Sequence, residues 1–110
     1  MDRDELLNEL RDIETQLRAS DVIQFVKQQA VSLRAQFAAD LATLSASIGV
    51  IENAQLADIA SRLDALSGAL KDGIKDLQES LDALDRTIAV FTSIGTVVGL
   101  AAKVAGLAAG

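Results

Sequence analysis

The sequence has no proline, cysteine, histidine, tryptophan or tyrosine, and its aromatic residues are Phe25, Phe37 and Phe91 alone. Without cysteine there is no disulfide framework, so packing has to hold the chain together, and its redox compartment is unmarked. Without histidine or cysteine there is no zinc set of the usual kind, no Ser-His-Asp or Cys-His nucleophile and no haem ligand pair. The paired Glu-x-x-His motifs of di-iron bundles are excluded on the same ground. We therefore expect no catalysis, no metal or other cofactor and no small-molecule substrate.

What remains is apolar and acidic. The chain has 110 residues, 50% of them hydrophobic, which suits one folded unit at most. Its net charge of −6 repels phosphate backbones, so nucleic acid is not an expected partner. The charge is unevenly placed: −4 over residues 1–21, +1 over 22–51, −4 over 52–86 and +1 over 87–110, where Lys103 stands alone. The opening Met-Asp-Arg-Asp-Glu is acidic where export and transit peptides are basic, so no cleavable signal is predicted. Compartment is left open, with membrane association through the C-terminus as one possibility.

The absence of proline, the abundance of Ala and Leu, and apolar spacings of three and four predict an all-α chain. Leu6, Leu10, Ile13 and Leu17 form a first stripe, with Asp2, Asp4 and Glu5 at the positive end of the helix dipole. The stripe loses register at Ser20-Asp21, where Asp21 and Gln24 have capping-box spacing, so a kink or a new helix starts there. A second stripe runs Val26, Ala30, Leu33, Phe37, Leu41, Leu44, Ile48 and Ile51. The expected reversal lies in 48–53, with Gly49 as a left-handed cap and Asn53 capping the next helix.

The strongest pattern is the third: Leu56, Ile59, Leu63, Leu66, Leu70, Ile74, Leu77, Leu81, Leu84, Ile88 and Phe91. Its spacing is that of a heptad seam with one extra step of four between Leu70 and Ile74, flanked by Gly68 and Gly73, where a bend is expected. Continued to the C-terminus, such a helix would be on the order of 85 Å long. Two arrangements suit it: a long antiparallel helical hairpin, or a three-helix coiled-coil-like bundle from which a long C-terminal helix projects. The chain accordingly divides into an amphipathic helical unit, 1–87, and an apolar Gly/Ala-rich helical segment, 88–110.

That last segment is long enough to span a bilayer, for which ~20 apolar residues suffice. Gly95 and Gly99 have the spacing that lets membrane helices approach closely. Missing aromatic belts and Lys103 argue the other way, toward an interior strip of a bundle or oligomer. Gly95, Val98, Gly99, Leu100 and Lys103 are the residues expected to make the tail's contact.

Other clusters reduce to ordinary helix surface. Asp72, Asp76 and Glu79 are interleaved with Lys71 and Lys75, the pattern of a solvated face, and the glycines follow no strand that would make a phosphate loop. The expected function is thus a non-catalytic helical assembly protein. It self-associates as a homo-oligomer, or pairs with another helical protein, through the Leu-rich seam, and its C-terminal helix contacts or enters a membrane. The alternative is a soluble adaptor or export partner whose apolar tail is buried against a second protein.

Overall fold

The computed structural model describes residues 3–53 and 56–109, with side chains described for 4–53, 66 and 68–106. The chain is all-α: α1 (Arg3–Leu17), α2 (Ser20–Lys27), α3 (Val31–Asn53), α4 (Leu56–Asp82) and α5 (Thr87–Ala109), with no strand among the described residues. The predicted break after Leu17 is present. Ala19 is the N-cap of α2 and accepts from Ile23 N–H at 3.0 Å, but no side chain caps this helix, so the Asp21 and Gln24 capping box does not form.

A second interruption was not visible in the apolar spacing. Between α2 and α3 the chain turns at Gln28–Ala30, where Gln29 Nε2 donates to the Phe25 carbonyl at 3.0 Å. Ala30 then starts α3 by accepting from both Leu33 and Arg34 N–H at 3.0 Å. The Val26-to-Ile51 stripe is therefore shared by two helices. It keeps its apolar role on both sides of the turn, with Val26, Phe37, Leu44, Ile48 and Ile51 buried.

The expected reversal at Gly49 is displaced. α3 passes through Gly49 in helical geometry and ends at Asn53, whose Nδ2 donates back to the Gly49 carbonyl at 2.9 Å; the expected Asn53 cap of the next helix involves residues 54 and 55, which lie outside the described residues. Among the described residues no glycine has a positive φ, so none acts as a left-handed cap. α4 likewise runs without a break through Gly68 and Gly73.

The single 85 Å helix does not form. α4 stops at Asp82, Ala83–Arg86 make a turn closed by Arg86 N–H to the Ala83 carbonyl, and Arg86 starts α5 by accepting from Val90 N–H at 3.0 Å. The physical reason is burial: a continuous helix would leave the apolar surface of 87–109 in water, whereas turning back covers its inner side. The bundle measures 43 × 21 × 19 Å.

Specific contacts fix the directions. Arg11 reaches Glu52 at 3.1 Å and Arg18 reaches Ser45 Oγ at 3.1 Å, so α1 and α3 are antiparallel. Lys71 lies 4.0 Å from Glu5, while Gln16 and Val22 line one groove with Leu81, so α1 and α4 are parallel. Ser80 Oγ and Ser93 Oγ are 3.3 Å apart and Gly73 faces Val97 and Leu100, so α4 and α5 are antiparallel. The four long helices stand in a ring, with α3 beside α5 on one side and α1 beside α4 on the other. α2 packs on α1 and α3, and its Phe25 ring stacks on Phe91 with centroids 6.1 Å apart and planes inclined by 30°.

One core is common to all five helices. Leu6, Leu10, Ile13 and Leu17 of α1 are fully buried with Leu44, Ile51, Leu70 and Leu77, and with Val90, Ile94 and Val97 of α5. Gly73 marks the close approach of α4 to α5: a Cβ there would meet Leu100 Cδ1 and Val97 Cγ2, both at 3.6 Å. Those are ordinary van der Waals distances. Gly73→Ala should therefore fit and stabilise the fold by about 0.5–1 kcal/mol through the entropy that glycine loses in a helix, read as a higher midpoint of urea unfolding. A lower midpoint would mean that α4 and α5 approach more closely than this.

Candidate functional site

The seam and the tail segment occupy different places once folded. Leu70, Ile74, Leu77, Leu81 and Phe91 lie in the chain's own core, and Leu66 and Leu84 pack partly buried against it. Leu56, Ile59 and Leu63 lie outside the residues with described side chains. Ile88 corrects the sequence expectation: it is 84% exposed. The turn at Ala83–Arg86 inserts non-helical residues into the seam, so the angular phase that put Ile88 in line with Leu84 is lost, and Phe91 alone rejoins the core.

The contact residues proposed for the tail divide between the two sides of α5. Val98 is buried and Leu100 packs partly buried over Gly73, whereas Gly99 and Lys103 are exposed and Gly95 is half-buried. Nothing lies within 4 Å of a Cβ built at Gly95, Gly99 or Gly106, so these glycines are not used for close packing inside the bundle. The inward side of α5 is Val90, Phe91, Ile94, Val97, Val98 and Val104, and the outward side begins at Ile88 and continues through Thr92, Thr96, Gly99 and Gly106.

Sequence reasoning passed over α3. Its apolar stripe was legible, but its opposite side is nearly as uncharged: Ala35, Ala38, Ala42 and Ala46 are exposed at helical spacing between exposed Val31 and Val50. The signal was present as alanines where a surface helix ordinarily carries Lys and Glu, and it gains meaning only from the packing of α3 against α5. All the exposed large hydrophobics among the described residues, Val31, Val50 and Ile88, belong to these two helices. Between them lies a groove of about 240 Å³ lined by Leu33, Gln36, Thr87, Ile88, Phe91 and Thr92.

The polar features are structural in kind. Glu14, Arg18 and Ser45 form a three-membered cluster tying α1 to α3: Ser45 Oγ donates to Glu14, and Arg18 approaches both. Such partly exposed pairs contribute little individually. A cleft of about 290 Å³ at the α4–α5 turn is lined by Asp76, Glu79, Ser80, Arg86 and Ser93, but no group of three or more potential metal ligands occurs among the described residues.

Among the described residues, burial alters the ionisation of Asp40. It is half-buried, its Oδ2 has no hydrogen-bond partner, and desolvation raises its pKa above the usual 3.8. A raised carboxyl pKa means that the native state holds its proton longer than the unfolded chain. Asp40 therefore lowers stability as pH rises from 3.8 through its folded value. Asp40→Asn should raise the urea midpoint at neutral pH and flatten the acid side of the stability profile; a midpoint that falls at neutral pH would show the carboxylate to be favourably paired.

No protein-family model matches the chain, and neither a curated protein nor a solved structure matches it.

Proposed function

We propose that this is a non-catalytic helical assembly protein that meets a membrane through α5. The observation that supports this reading is the composition of that helix against its burial. Thr87–Gly106 has a mean hydropathy of 1.8 and a length sufficient to cross a bilayer, yet fewer than half of its residues are buried in the bundle. The core helix of a soluble bundle ordinarily turns a charged side to water. The outward side of α5 carries Lys103 and otherwise glycine, alanine, threonine and Ile88.

In this reading the Leu-rich seam closes the protein's own core, and association falls to the side left uncovered. A second helical protein is the competing occupant, favoured by the groove between α3 and α5, whose size suits one or two inserted side chains. Liposome co-flotation of the full chain, with light scattering in buffer, tests the reading. Flotation with vesicles is the expected result. A monodisperse monomer that stays at the bottom of the gradient at every lipid concentration would sink both membrane contact and self-association.

A further inference from the structure

We propose that the α4–α5 hairpin opens at Ala83–Arg86 when α5 enters a bilayer, so that the closed bundle is the form in water and lipid takes the place of the core around α5. This rests on the reading that α5 meets a membrane, and states what has to move for it to do so.

The first ground is which side of α5 faces out. Its strongly apolar residues Val90, Phe91, Ile94, Val97, Val98 and Val104 are buried in the bundle. Besides Ile88, the outward side offers Thr92, Thr96, Gly99, Lys103 and Gly106. Entry into lipid is driven by Val, Ile, Leu and Phe, whereas Lys opposes it. The closed bundle thus keeps inside the surface that a membrane would hold best.

The second ground is what retains α5. Among the described residues, the ion pairs between helices join α1 to its neighbours, Arg11 to Glu52 and Lys71 to Glu5, and none includes α5, whose one charge is Lys103. A single side-chain hydrogen bond joins α5 to another helix, between Ser80 and Ser93 at 3.3 Å. Apolar burial therefore holds α5, and it is an attraction without direction that hydrocarbon satisfies as a protein core does. The 23 residues of α5 reach ~34 Å, enough for a hydrocarbon layer of ~30 Å. Lys103 stands toward the end away from the turn, where its amine reaches the far interface along its stem.

The third ground is the turn itself. Ala83-Leu84-Asp85-Arg86 contains neither glycine nor proline, and Ala, Leu and Arg are strong helix formers. Leu81, Leu84, Ile88 and Phe91 keep a spacing of three and four across it, yet the hairpin leaves Ile88 exposed. Local preference does not close this turn; the burial of α5 beyond it does, and the turn opens where lipid supplies that burial instead. Opening uncovers Leu70, Ile74, Leu77 and Leu81 on α4, so insertion loosens the helices left in water.

The test locks the hairpin. The chain has no cysteine, and Ser80 Oγ and Ser93 Oγ are close enough for thiols at those positions to bridge. The full chain carrying Ser80→Cys and Ser93→Cys is floated with phosphatidylcholine vesicles in oxidised and reduced form beside the unchanged chain. Amide hydrogen exchange of the unchanged chain, which does not depend on the bridge, is read with and without the vesicles. The reduced variant should float like the unchanged chain, and the oxidised variant should partition about tenfold less, because its Val and Ile side chains stay in the core. Vesicles should lower amide protection in α1 and α3 and leave α5 protected.

The outcomes separate opening from membrane contact. If the oxidised variant floats as well as the reduced one, contact is made by the closed bundle, and opening is overturned while the membrane reading stands. Vesicle binding that leaves α1 and α3 fully protected overturns opening in the same way. If the unchanged chain does not float, both fail.

Discussion

A chain ending at Arg86 should lose its cooperative fold. Removing α5 uncovers Leu70, Ile74, Leu77 and Leu81 on α4 and strips away the burial of Val90, Phe91, Ile94, Val97 and Val98. Each such side chain is worth ~1.5–3 kcal/mol when fully buried, so the sum exceeds the ~5–15 kcal/mol by which a domain of this size is stable. The expected result is an aggregating or expanded species with no urea transition and no dispersed amide spectrum, where the full chain shows both. A truncated chain with a sharp transition would show that 1–86 folds alone and that α5 is an appended segment.

The second large effect concerns the seam. Leu77 and Leu81 are 1% and 8% exposed within a single chain, so Leu77→Ala with Leu81→Ala opens a cavity in the monomer's own core. Each truncation costs about 2–5 kcal/mol, and as neighbours on one stripe they need not add. The double variant should unfold at a markedly lower urea concentration, or not fold at all, independently of protein concentration. If its midpoint were unchanged while the mass in solution fell, the seam would be joining chains, as its heptad spacing by itself suggests.

These two predictions bear on the same ambiguity. A heptad records that a helix side is covered, and a second copy, another protein or a different part of the same chain would each suit it equally. Leu70, Ile74, Leu77 and Leu81 met that requirement inside the chain because the turn at Ala83–Arg86 returns α5 against them. No glycine or proline marks the turn, so nothing local announces it. The break at Gln28–Ala30 is equally unmarked, whereas the one after Leu17 was legible because the apolar stripe loses its phase there.

The candidate site was half legible in the same way. The tail's composition singled out residues 88–110, and the outward Gly99 and Lys103 belong to the set chosen from sequence. Val98 and Leu100 turned inward because neighbouring positions on a helix lie ~100° apart, and composition alone does not say which side the core takes.

By itself the sequence determined that this protein is helical throughout, lacks the residue types of nucleophilic and metal chemistry at histidine and cysteine, and separates acidic segments from nearly neutral ones. Those properties are local: they follow from propensity, periodicity and residue identity. Only the tertiary structure decided that the long seam is folded in on itself, that Ile88 leaves it, and that α3 and α5 pool their uncharged sides while α1 and α4 pool their acids. Such pairings are set by which apolar surfaces bury one another most completely, a comparison among distant segments that no single stretch of chain contains.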